Sequence, residues 1–443
     1  GIFGTAGISW DRWLYVDGTV RNDWSSRLPV KNNKFLSWSI GGSMVLSELI
    51  KKNQTALSLL KIRGNYSSVG SFGALDPYRT NQTYSINSVK FGTSTLVFTP
   101  RVLSNPNLKA ERSNEWSVGL AAAFYKNRFR IDAEYYDKTT KDLLLNITVP
   151  SSTGYNTVWS NLGKIRNRGV ELQFGATLLD KKDYKIDLDF NWAKNQNRVL
   201  SLGGFDSYIL GGQWDMTLEA RPGQPYGLVV GHAYKRSPDG QIVYKDGKPE
   251  TETEKQILGN IQPKWTGGVN LSVNIKGLTI STLFDMKWGG SIHSMTYIFG
   301  RQSGVLAETL VGRETGLVGE GVKNTGTEDN PVYVPNDVVI PAFDYNRATF
   351  NATGITEGGV FDASYVKWRQ LTVGYDIPKK AFKNTKLESL GFAVVARNIL
   401  ILYKKAPHID PESAFSSENA DQGQEAGQLP AARSIGFNVN IKF

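Results

Sequence analysis

Strict alternation of apolar and polar residues over 433–443 constrains this chain more than any other feature. Ile435, Phe437, Val439, Ile441 and Phe443 fall on one side of an extended strand, and Ser434, Gly436, Asn438, Asn440 and Lys442 fall on the other. A period of two gives one apolar and one polar face. About 11 residues at ~3.3 Å each, tilted by ~40°, project to roughly 28 Å, close to the thickness of a bilayer's hydrocarbon core. A surface strand of a soluble sandwich alternates in the same way, so the weight falls on recurrence.

The pattern recurs through the chain. Trp116, Val118, Leu120, Ala122 and Phe124 oppose Ser117, Gly119 and Ala121. Phe129, Ile131, Ala133 and Tyr135 oppose Arg130, Asp132, Glu134 and Tyr136. Tyr184, Ile186, Leu188, Phe190 and Trp192 oppose Lys185, Asp187, Asp189 and Asn191. Unpaired charges are costly in a packed core. A carboxylate-rich face fits a water-filled lumen, with lipid on the other side. The expected fold is therefore all-β, a transmembrane antiparallel β-barrel.

Composition agrees with that class. The 443 residues are 40% hydrophobic and 11% aromatic, with a mean hydropathy of −0.31. No apolar run is long enough for a membrane-spanning helix. Cysteine is absent, which removes disulfides and thiolate metal sites. The net charge of +10 raises the question of nucleic acid, but the basic residues are dispersed and no element carries a dense Lys/Arg stripe, so none is expected as a partner.

Thirteen strands are expected, near 2–10, 13–25, 34–46, 57–68, 114–126, 128–147, 168–180, 184–200, 265–275, 277–290, 363–376, 388–402 and 433–443. Connections alternate between short turns and longer segments at 26–33, 69–113, 148–167, 201–264, 291–362 and 403–432. Outer-membrane barrels have short periplasmic turns and long extracellular loops, so the long set is expected outside. Residues 295–313 read as a short helix, and Ser237-Pro238-Asp239-Gly240 as a hairpin turn. Bacterial single-chain barrels have even strand numbers. An odd count, with neither a signal peptide nor a methionine before Gly1, reads as the C-terminal part of a larger barrel.

Several segments resemble the SusC-like branch of TonB-dependent outer-membrane transporters. Asn105-Pro106-Asn107-Leu108-Lys109-Ala110-Glu111 is similar to that family's entry to a barrel strand. Asn161-Leu162-Gly163-Lys164-Ile165-Arg166-Asn167-Arg168-Gly169-Val170-Glu171 is similar to a second block. Ala363-Ser364-Tyr365-Val366-Lys367-Trp368-Arg369 resembles a third, followed by Leu371-Thr372-Val373-Gly374-Tyr375. Arg397-Asn398-Ile399-Leu400 and His408-Ile409-Asp410-Pro411-Glu412 resemble the stretch before the family's last strand. The resemblance implies a 22-stranded barrel of which these are about the last 13 strands. The plug domain and the segment that engages TonB-ExbB-ExbD would lie upstream of this chain. It also implies a SusD-like surface lipoprotein as lid, and an oligosaccharide or peptide as cargo.

No catalytic constellation emerges. His232, His293 and His408 are far apart, and no Gly-rich segment has the strand–turn–helix context of a nucleophile elbow or phosphate loop. Asp132, Glu134, Asp187 and Asp189 could be paired as glycosidase carboxylates, but solvated lumen charges explain them more simply. Asp410, Glu412, Glu418 and Asp421 form an acidic loop, read as solvated, with Ca²⁺ as the sharper alternative. No cofactor or metal is assigned.

Loop aromatics are the stronger functional candidates, because sugar C–H faces stack on aromatic rings. Tyr155 and Trp159, Tyr208 and Trp214, and Tyr333, Phe343 and Tyr345 lie in three of the long segments. The bland reading is that these rings pack the loops or sit at the membrane interface. Phe443, the terminal aromatic of an alternating strand, reads as an assembly signal, against an interface residue. The expected function is energy-coupled import across the outer membrane of a Gram-negative bacterium, not enzymatic catalysis. The alternatives are a passive porin, a surface ligand-binding barrel, or a soluble carbohydrate-active β-protein.

Overall fold

The computed structural model describes residues 1–50, 56–72, 75–348, 354–382, 385–416 and 421–443. They form two compact units, one of 1–208 with 221–224 and one of 209–220 with 225–443. Among the described residues no helix is long and apolar enough to cross a membrane.

The first unit is an antiparallel meander of eight long strands. These are β1 (Ile2–Trp10), β2 (Leu14–Trp24), β3 (Lys34–Val45), β4 (Leu57–Ser71), β5 (Glu111–Phe124), β6 (Phe129–Thr148), β7 (Thr157–Lys181) and β8 (Tyr184–Ser201). Each pairs with the next. The tight connections put non-glycine residues in the left-handed region, as at Asp11 and Arg12 and at Lys126 and Asn127. That conformation matches the twist of the flanking strands, which is why short hairpin turns use it.

Register turns the alternation into two chemically distinct faces. Leu14, Met44, Ile62, Leu120, Ala133, Leu172 and Trp192 are direct cross-strand neighbours from β2 to β8. Met44, Ile62 and Leu120 leave much of their side chains exposed, so the row is an outward apolar band and not a core. On β5 the band ends in aromatics on both sides. Trp116 packs on Tyr135, and Phe124 pairs with Phe129. On the other face Arg63 reaches two strands along, to Asp132 at 2.7 Å and Glu134 at 2.6 Å. Gly119 permits this, because a Cβ there would come within 2.5 Å of the Arg63 guanidinium.

The second unit carries β9 (Trp265–Ile275), β10 (Leu278–Trp288), β11 (Tyr365–Ile377), β12 (Ser389–Lys404) and β13 (Ser434–Lys442), again paired in order. Lys276 and Gly277, both left-handed, turn β9 into β10. The long connections fold into small sheets of their own. One is built of Tyr208–Gln213, Met216–Ala220, Leu228–Gly231 and Gln256–Asn260, over a cluster of Met216, Leu218, Val229 and Ile261. Phe443 follows β13 and is largely exposed.

All thirteen expected strands are present among the described residues, with two local differences. β7 begins at Thr157, not 168, so the preceding connection shrinks to 149–156. Register shifts between Asn161 and Lys164 break the alternation there and hid the strand. The helix expected over 295–313 is Met295–Gln302, ended by left-handed Gly304, with a separate 3-10 turn at Ala307–Leu310. The expected turn at Ser237–Gly240 closes through Gly240 N–H to the Ser237 carbonyl at 2.8 Å.

Candidate functional site

The motif segments meet in space as two locks. In the first unit Asn161 bridges three elements. Its amide donates to the Lys109 carbonyl at 2.9 Å and the Asp142 carbonyl at 2.8 Å, and its oxygen accepts from Lys109 N–H at 3.0 Å. Asn105 donates to the Trp159 carbonyl at 2.8 Å. Leu108 is fully buried between them with Leu28, Leu75 and Leu144, a burial that contributes about 1.5–3 kcal/mol. The segment leading into β5 is thereby stitched to the bulged start of β7.

The second lock joins the start of β11 to residues 405–412. Lys367 places its ammonium 2.5 Å from Asp410 and 2.5 Å from Glu412, and the side chains of Lys367 and Asp410 are only 6% and 5% exposed. Arg369 adds a bond to Glu412 at 2.8 Å and an ion pair with Asp285. The Tyr365 hydroxyl donates to Glu412 at 2.7 Å. Burial alone would raise the Glu412 carboxyl. Hydrogen bonds from Arg369, Lys367 and Tyr365 outweigh it and hold the group down at about 2. Asp410 and Glu412 are thus neither a solvated loop nor a calcium site. Their charges are already answered by side chains of β11, and Glu418 lies outside the described residues. Among the described residues no cluster of His, Asp or Glu is placed to hold a metal ion.

A buried polar chain lies under helix Met295–Gln302. Ser294 caps the helix, accepting from Tyr297 N–H at 3.1 Å, a role its short hydroxyl suits. The same hydroxyl donates to Glu425 at 2.5 Å, and Thr296 donates to the other Glu425 oxygen. Gln213 donates to the Glu425 carbonyl at 3.2 Å, so its oxygen faces His293 Nδ1 at 3.0 Å, which assigns the imidazole proton to Nδ1. Burial pushes His293 down from 6.5 to about 4. The folded protein therefore keeps His293 neutral where the unfolded chain takes up a proton. Its stabilisation is complete above 6.5 and declines as pH falls toward 4. Thermal unfolding followed from about pH 7.5 to about pH 5 should fall in midpoint for the wild type. His293→Gln should flatten that slope, and an unchanged slope would assign the dependence elsewhere.

The candidate aromatics do not converge on one point. Trp159 lies in β7 and packs, partly buried, against the leucine cluster of the first lock. Tyr155 precedes β7 in a turn held by Thr153. The Tyr208 hydroxyl accepts from Asn146 N–H at 3.4 Å. Tyr333 sits in a short strand opposite Asn324. Phe343 is exposed beneath Arg347, whose guanidinium is 5.1 Å from the ring centre. Tyr345 hydrogen-bonds Tyr244, whose phenol is raised by burial and then by Tyr345.

Trp214 differs from all of these. It stands at the tip of the hairpin of Tyr208–Gln213 and Met216–Ala220, with a left-handed φ of 54° and 62% exposure. Hairpin turns favour Gly, Asn or Asp in that conformation, and a bulky residue there costs ~1–2 kcal/mol. Its ring meets Phe299 edge-to-face at 5.2 Å. The next residue, Asp215, is held by Lys255 at 2.9 Å and His232 at 3.6 Å. Sequence reasoning missed Phe299, which is i+4 from Met295 on an amphipathic helix, and it missed Lys367 and Arg369, which read only as polar positions of a strand.

The carboxylates read as lumen-facing are paired. Asp132 and Glu134 share Arg63, Asp189 meets Arg130 at 3.2 Å, and Asp187 meets Lys185 at 3.0 Å.

Comparison with known proteins places this architecture. TonB-dependent receptor P3 of Formosa agariphila is 25% identical over all of this chain and 45% of its own length. TonB-dependent receptor SusC of Bacteroides thetaiotaomicron is 30% identical over 44% of this chain and 20% of its own. The chain thus spans about half the length of the curated relatives that it matches from end to end. Among solved structures, the RagAB peptide importer in its closed-closed state superposes with a TM-score of 0.76 at 22% identity, over 99% of this chain and 47% of that one. At that identity the likeness is one of fold. The family model for the TonB-dependent receptor-like β-barrel matches residues 1–395. With its serial antiparallel strands and outward apolar band, the chain belongs to that family, whose members are transporters of the Gram-negative outer membrane.

Proposed function

We propose that this chain forms barrel wall and ligand-contacting segments of an energy-coupled importer for an oligosaccharide or peptide. It would work as the SusC-like subunit of a complex with a SusD-like lipoprotein, driven through TonB-ExbB-ExbD. On this reading the segments near 69–113, 149–156, 201–264, 291–362 and 403–432 face the cell exterior and meet cargo and lid. The family and the SusC relative support import. The observation that carries a ligand-contacting role is Trp214, an exposed ring held on a turn that it strains, edge-to-face with Phe299. A bulky residue kept against its local backbone preference, with most of its surface exposed, points to function.

Trp214→Gly separates the two roles. Removing the left-handed side chain should leave stability unchanged or raise it by about 1 kcal/mol. Losing the ring should lower cargo uptake by about tenfold, the equivalent of ~1.4 kcal/mol. The measurement is uptake of labelled oligosaccharide and peptide pools by a deletion strain carrying either form. Uptake identical to wild type would remove Trp214 from the site, and no uptake with the wild-type gene would remove the importer reading.

A further inference from the structure

The second lock carries one cation more than its carboxylates answer. On the polar face at the covered end of β10 and β11 stand Asp285, Lys287, Tyr365, Lys367 and Arg369, with Lys404 from β12 beside them. Lys367 is bound by Asp410 and Glu412, and Arg369 by Asp285 and Glu412. Lys404 donates to the Ile409 carbonyl at 2.7 Å. Among the described residues Lys287 forms no ion pair, and Glu412, which attracts it from beyond ion-pair distance, is already engaged by Lys367 and Arg369. The set is four cations, Lys287, Lys367, Arg369 and Lys404, against three anions, Asp285, Asp410 and Glu412. Glu425, on the neighbouring segment, has its two side-chain oxygens taken by Ser294 and Thr296.

Lys287 is half-buried and borders a cavity of about 230 Å³ with Tyr365, Glu412, Ser413, Gln422 and Gly423. That is below the ~300–1,000 Å³ of sites that enclose a whole small molecule, so it has room for one end group. The Glu412 carboxylate on its wall is engaged by Lys367, Arg369 and Tyr365 and so repels an incoming anion weakly. An ammonium partly removed from water gains most from a counter-ion that hydrogen-bonds it directly.

We propose that this cavity takes a carboxylate of the cargo, with Lys287 as its counter-ion. The inference rests on the importer reading and narrows its ligand to an acidic one. Two sources present that chemistry, a uronic acid unit of a glycan or a carboxylate of a peptide. The test is binding to the purified full-length protein in detergent. One arm compares tri-galacturonate with its methyl ester, and the other compares an acidic tripeptide with its fully amidated form. One acid should bind about tenfold more tightly than its neutral counterpart, and the arm in which it does so names the source. The preference should weaken as salt rises, vanish in Lys287→Gln and persist in part in Lys287→Arg. Unchanged thermal unfolding of Lys287→Gln shows that the variant is folded. Absence of an acid preference in both arms, or a preference that survives Lys287→Gln, overturns the proposal. Uptake of a neutral cargo by the deletion strain would leave the importer reading standing while this one fell.

Discussion

Lys367→Met should destabilise the second unit by about 3–5 kcal/mol, the range for removing one partner of a buried charge pair. The methylene stem is roughly conserved, so packing changes little and the charge is what is lost. Asp410, with its side chain only 5% exposed, is left without its cation. Glu412 keeps Arg369 and Tyr365 and suffers less. The visible consequence should be release of residues 405–412, read as new protease cleavage there before the strands open. Adding Asp410→Leu should recover most of the loss, because an apolar pair of similar volume replaces a buried ion pair at little cost. If the single variant is as stable and as protease-resistant as wild type, the lock does not hold the segment. Acid supplies a second handle. Glu412 is held at about 2 against its ordinary 4.5. Its stabilisation is complete above 4.5 and is lost as pH falls through 2. That window lies below the His293 window, so the buried polar chain and then the second lock should loosen in order as acid is added.

The lock shows where sequence reading stops. Strand positions were legible because alternation is a local property, and β9 and β11 to β13 lie close to where it places them. β7 was truncated because its bulges at Asn161 to Lys164 shift the apolar set onto the other face for several residues. Asp410 and Glu412 looked solvated because their partners, Lys367 and Arg369, lie more than forty residues upstream and satisfy the strand alternation on their own. Charge complementarity across such a separation has no periodic signature. The motif resemblance did mark both segments, yet nothing in either one states that they touch. For Trp159 the sequence left both readings open, since a tryptophan between apparent loop residues gives no hint of the leucines it packs against. Trp214 was legible as an aromatic, but the strain that sets it apart lies in a backbone angle.

The apolar band makes the largest claim about environment and is tested by one charge placed on either face. Leu120 is the middle of the five outward residues of β5, with Trp116 and Phe124 at the ends. Those ends are about 26 Å apart along the strand at ~3.3 Å per residue, or roughly 20 Å across the membrane at a ~40° tilt, which fits within the ~25 Å lipid-facing belt of outer-membrane barrels. Leu120→Arg would put a guanidinium near the middle of the hydrocarbon, at a cost of about 2–4 kcal/mol. Ser117 lies on the same strand with its side chain on the opposite face, between Asn65 and Tyr136. Ser117→Arg would meet water and neighbouring polar groups, and should change stability by no more than ~0.5 kcal/mol. Urea unfolding in lipid vesicles, with the heat-resistant folded band as a second readout, gives both values. In a soluble sheet open to water on both sides, the two arginines would cost the same small amount. Equal effects would therefore contradict a lipid-facing band. A loss confined to Leu120→Arg identifies the solvent on that face as hydrocarbon, because the strand, the register and the introduced side chain are otherwise the same.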